Sequence, residues 1–323
     1  MNNPTLTAIE GIRVGHAHNL DGPTGCTVVL CPPNTVSGVD QRGGAPGTRE
    51  TDLLRPLHMV EYVHAIVLAG GSAYGLDAAG GVMRYLEEQG IGFNVGVGIV
   101  PIVPAAIIFD LDVGDPKIRP DAAMGYAACH AASPDPVAEG CVGAGAGAAV
   151  GRLLGPGFAC KSGIGSVLVD LGDGLRVSAL VVVNALGDVI SEQGEILAGA
   201  RQPPEGTQFA NALNILPAMA RMTATGPGNT VIGVVATDAH LTKEEVNKVA
   251  QMAQDGLARA VRPTHTMMDG DTIFALATGT AGQANVSVIG AFAAEATAQA
   301  VRRAVRMATP LAGLPVGAPT LSQ

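Results

Sequence analysis

Apolar positions along this chain come in short, dense runs. Ala65-Ile66-Val67-Leu68-Ala69 is continuous and is closed by Gly70-Gly71, the pattern of a strand buried on both faces and ended by a turn. Apolar residues over 76–86 then recur at helical spacing, so this stretch predicts strand, turn and helix. Two β-rich runs, 165–171 and 175–183, flank Gly172-Asp173-Gly174 and predict a hairpin of central strands. Residues 230–236 form another β-branched run, after which Thr242 and Glu245 carry the spacing of a capping box opening a helix to about Ala260. A further strand is expected at 272–278, and a last helix rich in alanine and arginine at 291–307.

Between the hairpin and residue 230 the pattern lapses. Residues 191–228 contain Gly194, Gly199, Pro203-Pro204, Gly206 and Pro217 and have little period. Such a stretch inside a compact domain is either functional or disordered. It reads as a linker, about 191–229, that tolerates being cut at its end. Strands interleaved with helices in this order predict an α+β layered sandwich, two sheets covered by helices, while periodicity alone leaves a parallel α/β sheet open.

Composition sharpens the picture. Of 323 residues, 47% are hydrophobic, enough for a large core, and 44 glycines set against 3% aromatic residues and no tryptophan imply close backbone packing through small side chains. A formal charge of −9 offers no footprint for nucleic acid or an anionic membrane. The apolar run 99–108 is broken by Pro101 and Pro104, and none reaches the roughly 20 residues that span a bilayer. Met1-Asn2-Asn3-Pro4-Thr5 lacks a basic region followed by an apolar stretch, so a cytoplasmic protein is expected. Cys26, Cys31, Cys129, Cys141 and Cys160 lack zinc-site spacing, and the seven histidines form no His-Glu-x-x-His pattern, so no metal or other cofactor is expected.

The sharpest chemical feature is the stretch from Gly226-Pro227-Gly228-Asn229-Thr230 into Val231-Ile232-Gly233-Val234. A turn-prone segment runs into a strand whose first residue bears a hydroxyl. Attack of Thr230 Oγ on the Asn229 carbonyl would convert the peptide to an ester, and water would then free Thr230 with an α-amino group. That amine has an ordinary pKa of about 8, suited to act as general base for its own hydroxyl. Taken alone, the same residues also describe an ordinary turn entering a strand.

The junction resembles that of the L-aminopeptidase/D-esterase family, which includes β-peptidyl aminopeptidases and nylon-oligomer endohydrolases. Further segments agree in the same order: Gly70-Gly71-Ser72-Ala73-Tyr74-Gly75-Leu76-Asp77, residues 140–151, Lys161-Ser162-Gly163-Ile164-Gly165-Ser166, Val182-Val183-Asn184-Ala185 and Met268-Asp269-Gly270-Asp271-Thr272. The resemblance implies an N-terminal nucleophile hydrolase-like αββα sandwich, cut between Asn229 and Thr230 into chains 1–229 and 230–323. It implies action on peptides or oligoamides and assembly into homo-oligomers, tetrameric or larger. Thr230 matches the family nucleophile, and Asn184 matches the residue whose side-chain amide helps form the oxyanion hole, a role that suits a fixed amide donor. Asp269 and Asp271 match the aspartate pair of the nylon-oligomer branch, where the aminopeptidases carry serine and glutamate. Standing two apart, they would share one face of an extended segment, with the Thr230 ammonium or Lys161 offsetting their repulsion. Lys161 matches a lysine near the nucleophile in that branch and would hold the aspartates ionised.

Tyr74 and Tyr126 are candidate substrate-binding walls without a matching family role. Gly143, Gly145, Gly147 and Gly151 imitate a dinucleotide loop, but no apolar strand precedes them, so packing or a turn is expected. Ser72 sits at a strand-to-helix turn like a serine-hydrolase nucleophile, yet the second glycine of a nucleophile elbow is missing. The rival expectations are therefore a serine hydrolase using Ser72, an acyltransferase of the ornithine acetyltransferase type, and a non-catalytic oligomeric scaffold.

Overall fold

The computed structural model describes residues 4–317 except 204, 205, 207 and 222–227, so Gly226 and Pro227 of the junction lie outside the described residues. Two mixed five-stranded sheets form the centre. The first runs Arg13–Asn19, Thr24–Leu30, Ala65–Ala69, Ala105–Ile107, Thr48–Arg49, and the second Ile164–Asp170, Arg176–Asn184, Thr230–Thr237, Thr272–Ala277, Val36–Gln41.

Side-chain alternation explains why these strands read as unbroken apolar runs. In Thr230–Thr237, Ile232, Val234 and Ala236 join Val29, Ile66 and Leu68 of the first sheet in a core between the sheets. The intervening Val231 and Val235 face Val249, Leu257, Ala293 and Val301 of the helices Lys243–Ala260 and Val286–Arg306. On the far side, Val28 and Val67 pack against Ala79 and Val82 of the helix Ala78–Glu88 and Ala128 of the helix Ala122–His130. The result is a four-layer αββα sandwich in which both faces of each sheet are covered.

Small residues set the spacing of the layers, as the composition implied. A Cβ at Gly81 would collide with the Ala122 carbonyl, and one at Gly256 with the Ala294 carbonyl. The helices therefore approach backbone to backbone.

The predicted elements are found with shifted edges. The hairpin is Ile164–Asp170 and Arg176–Asn184, and the Thr242–Glu245 capping box is formed on both sides. The last helix begins five residues early at Val286 because the Asn285 side chain caps it. The described part of residues 191–229 carries elements that the sequence pattern did not predict. Within it Ile196–Ala198 pairs with Asp188–Ile190, and Asn211 caps a helix at Ala212–Met219.

Candidate active site

Register alone assembles the site. Strand Arg176–Asn184 runs antiparallel to Thr230–Thr237, and its last rung sets Asn184 directly opposite Thr230. Strand Thr272–Ala277 lies parallel on the other side, starting at the Ile232–Thr272 rung. That pairing continues backwards as a bridge between Asn229 and Asp269. The Asn229 N–H donates to the Met268 carbonyl at 2.8 Å, and the Gly270 N–H donates to the Asn229 carbonyl at 2.8 Å. The Thr230 hydroxyl also donates to that carbonyl, at 2.5 Å. The Asn229–Thr230 peptide is thus pinned and polarised, with Asn229 and Thr230 each 2% exposed. By alternation Thr230 shares the face of Ile232 and Val234, at one end of the space between the sheets. Gly270 is required there: a Cβ would lie 2.8 Å from Thr230 Oγ1 and 2.6 Å from the Ala45 carbonyl oxygen.

The two aspartates stand just before the Thr272–Ala277 strand, in a loop rather than within an extended strand, and they take different partners. Asp271 Oδ1 accepts the Val231 N–H at 2.8 Å, holding the residue after Thr230. Its Oδ2 accepts from Thr264 Oγ1 at 2.8 Å, the His265 N–H at 3.0 Å and His265 Nδ1 at 2.8 Å. Asp269 accepts the N–H and hydroxyl of Thr266 on Oδ2 at 2.8 and 2.6 Å, and the Leu186 backbone also hydrogen-bonds to its carboxyl. Burial, and secondarily the charge of Asp271, push the Asp269 carboxyl up to about 6. The Thr264-His265-Thr266 run was missed in the sequence. Hydroxyl residues a few positions before two aspartates were its only local signal.

Asn184 is fully buried and held at both ends of its amide. Its Nδ2 donates to the Phe109 carbonyl at 2.9 Å, and its Oδ1 accepts the Ala149 N–H at 3.0 Å. Lys161 is also fully buried, but it does not reach the aspartates as expected. Its ammonium donates to the carbonyls of Gly145, Ala148 and Ser162 at 3.1, 2.8 and 2.7 Å. All three of its donors are thereby used. Burial pushes Lys161 down to about 8, and the carboxylate that opposes the shift is Asp110. Asp110, next to Phe109, accepts from Thr24 Oγ1 at 2.8 Å and the Gly71 N–H at 2.6 Å, and burial pushes it up to about 6.

The other candidates have partners of their own. Tyr126 is on an outer helix, its hydroxyl donating to Glu88 at 2.6 Å and its ring packed edge-on against Tyr85 and His130. Tyr74 is 60% exposed and stacks under the Arg119 guanidinium at 3.7 Å. Ser72, at φ 54°, has no histidine bonded to it among the described residues, so a serine triad is not assembled. The glycines from 143 to 151 form a tight turn whose carbonyls serve Lys161. Among the described residues no group of three or more His, Cys, Asp or Glu could hold a metal ion.

Comparison with known proteins places these features in context. The model of peptidase family S58 matches residues 4–316. An uncharacterized aminopeptidase of Mycobacterium leprae is 46% identical, covering 96% of this chain and 92% of the relative. A 6-aminohexanoate-oligomer endohydrolase of Kocuria sp. is 33% identical, covering 92% of this chain and 84% of the relative. Among solved structures, the L-aminopeptidase D-Ala-esterase/amidase of Ochrobactrum anthropi, described as a variant of the Ntn hydrolase fold, superposes with a TM-score of 0.72. It is 18% identical and covers 100% of this chain and 92% of its own.

Proposed function

The chain belongs to peptidase family S58 and is an amide hydrolase of the N-terminal nucleophile class; from that premise we propose that Thr230 is the nucleophile, freed when the chain cuts itself after Asn229. The observation that carries the proposal is the pinned Asn229–Thr230 peptide, its carbonyl accepting both the Gly270 N–H and the Thr230 hydroxyl.

In self-cleavage Thr230 Oγ1 bonds to the Asn229 carbonyl carbon, and negative charge develops on the oxygen that faces the Gly270 N–H. The C–N bond then breaks, and the nitrogen takes up the proton released by the hydroxyl. Asp269, whose backbone bridges Asn229 and whose carboxyl is pushed by burial up to about 6, relays that proton. Water hydrolyses the resulting ester, leaving a carboxylate on Asn229 and a free amine on Thr230, so that the chain becomes fragments 1–229 and 230–323.

In turnover the Thr230 amine takes the hydroxyl proton as Oγ1 attacks a substrate amide. Asn184 Nδ2 stabilises the oxyanion, the leaving amine is protonated, and water hydrolyses the acyl-enzyme. Asp271 fixes the strand behind the nucleophile through Val231, and no cofactor takes part. The substrates are N-terminal peptide bonds or oligoamides. The aspartate pair favours the oligoamide branch, to which the Kocuria relative's name belongs.

We further propose that fragment pairs assemble into homo-oligomers, tetramers or larger, in the cytoplasm. Leu57, Met59 and Val97, between 83% and 98% exposed, supply apolar surface for such contacts. Native mass spectrometry reads the assembly.

Intact mass and N-terminal sequencing test the nucleophile. The smaller fragment should begin Thr-Val-Ile-Gly. A different start, or active protein without a fragment, overturns the assignment.

A further inference from the structure

We propose that Lys161 is a positioning residue for Asn184, acting through the Ala148–Ala149 peptide and not on Thr230 or the aspartate pair. The inference rests on the assignment of Asn184 as the oxyanion donor.

One peptide unit joins the two side chains. Its carbonyl, on Ala148, accepts the Lys161 ammonium at 2.8 Å, and its N–H, on Ala149, donates to Asn184 Oδ1 at 3.0 Å. Lys161 and Ala149 are also directly paired across a short antiparallel ladder, which fixes the side chain's origin relative to that peptide. The remaining Lys161 donors end on Gly145 and Ser162, with the Cys141 side chain also against the ammonium, and none of these contacts is with Thr230 or the aspartate pair.

A cation buried without a carboxylate against it is costly. Lys161 is fully buried, and among the described residues it forms no salt bridge. What its charge does is polarise the 148–149 peptide. A carbonyl that accepts from an ammonium makes the N–H of the same peptide a stronger donor, and bonds in such a chain strengthen each other by about 10–30% each. The polarisation passes to the Asn184 carboxamide and ends on Nδ2, where an oxyanion would form.

The same contacts decide which way Asn184 points. A flipped amide would set Nδ2 against the Ala149 N–H and Oδ1 against the Phe109 carbonyl, two like-against-like encounters in a dry site. With one Nδ2 hydrogen on Phe109, the other is left for the substrate oxygen, opposite Thr230 in the ladder.

A double-mutant cycle separates this role from direct action on the nucleophile. Lys161→Met, Lys161→Gln and Asn184→Ala are made singly, and each Lys161 variant is combined with Asn184→Ala. kcat and KM for a chromogenic amide are normalised to the processed fraction measured by mass. Lys161→Met should lower kcat about tenfold to a hundredfold with KM nearly unchanged. In the Asn184→Ala background the same change should cost less than about twofold. Lys161→Gln, which keeps N–H donors without the charge, should recover part of the loss, and it carries the cycle if the methionine variant does not fold. Losses that multiply in the double variants overturn the relay alone, as does a Lys161 variant with unaltered kcat. A loss below tenfold in Asn184→Ala by itself overturns the assignment of Asn184, and the relay falls with it.

Discussion

Asp269 and Asp271 are the same chemical group two positions apart, but the backbone gives them unequal company. Asp271 is held by donors on both oxygens, whereas for Asp269 burial and the like charge of Asp271 outweigh its bonds to Thr266 and the Leu186 backbone. Replacing each by asparagine should therefore move stability in opposite directions. The carboxyl of Asp269 rises from 3.8 to about 6 in the fold. The folded chain thus binds its proton more tightly than the unfolded chain does. Its contribution is fully favourable below the unfolded value of 3.8 and is lost as pH climbs through about 6. Asp269→Asn removes that loss, and should raise stability near neutral pH by roughly 1–3 kcal/mol, with no gain at about pH 4. Asp271→Asn swaps one accepting oxygen for a donor that faces other donors, and should cost about 1–3 kcal/mol. Urea unfolding of uncleaved Thr230→Ala protein carrying each change measures both, and equal shifts of one sign would refute the division. In otherwise normal chains both replacements should cut amide hydrolysis by roughly two to four orders of magnitude. Thr230→Ala itself should stay full length on a denaturing gel and show no turnover.

At the scale of strands, the site depends on register more than on any one side chain. Asn184 meets Thr230 because both end the same ladder, and Asp269 pairs with Asn229 because the parallel partner has one further bridge ahead of its first regular rung. The strands themselves were legible in the sequence: 230–236 and 175–183 are apolar on both faces because helices cover one side of the sheet and the other sheet covers the second. Which rung faces which was not legible, since pairing partners lie far apart along the chain and periodicity carries no register. The strands Arg13–Asn19 and Val36–Gln41 also escaped, their runs being diluted by His16, His18, Asp40 and partly exposed positions. Thr230, Asn184 and the aspartates were singled out by resemblance to a family, and the strand pairing brings them to one end of the sheet. Gly270 was not, because a glycine between two aspartates looks like a turn until Thr230 is seen beside it. Gly270→Ala should shift the Asn229 carbonyl away from its N–H donor. The variant should fold at a cost of about 1–3 kcal/mol and self-cleave at least about tenfold more slowly. A time course of fragment appearance would show this, and an unchanged rate would mean that the Gly270 N–H does not assist the step.

At the scale of the whole molecule, the sheet order says how the two pieces of the proposed cleavage would remain one body. In the second sheet the order is Ile164–Asp170, Arg176–Asn184, Thr230–Thr237, Thr272–Ala277, Val36–Gln41. Cleavage after Asn229 would leave the third and fourth strands on the smaller fragment and the strands on either side of them on the larger. Thr230–Thr237 is paired with Arg176–Asn184 from Val177–Thr237 to Asn184–Thr230, and Thr272–Ala277 with Val36–Gln41 from Thr272–Gln41 to Ala277–Val36. Both covering helices of that sheet, Lys243–Ala260 and Val286–Arg306, also belong to the smaller fragment and bury their apolar faces on strands of both. Separation would break two ladders and expose a core layer together, a loss no single contact could offset. The fragments should therefore co-elute from a gel-filtration column after complete processing and part only in denaturant. Mixing separately purified, denatured fragments should restore activity only if the larger one regains the gap between its 176–184 and 36–41 strands. Dissociation of processed protein on dilution in plain buffer would show that the interleaved sheet does not hold the halves, and would move the source of their cohesion to contacts between copies of the chain.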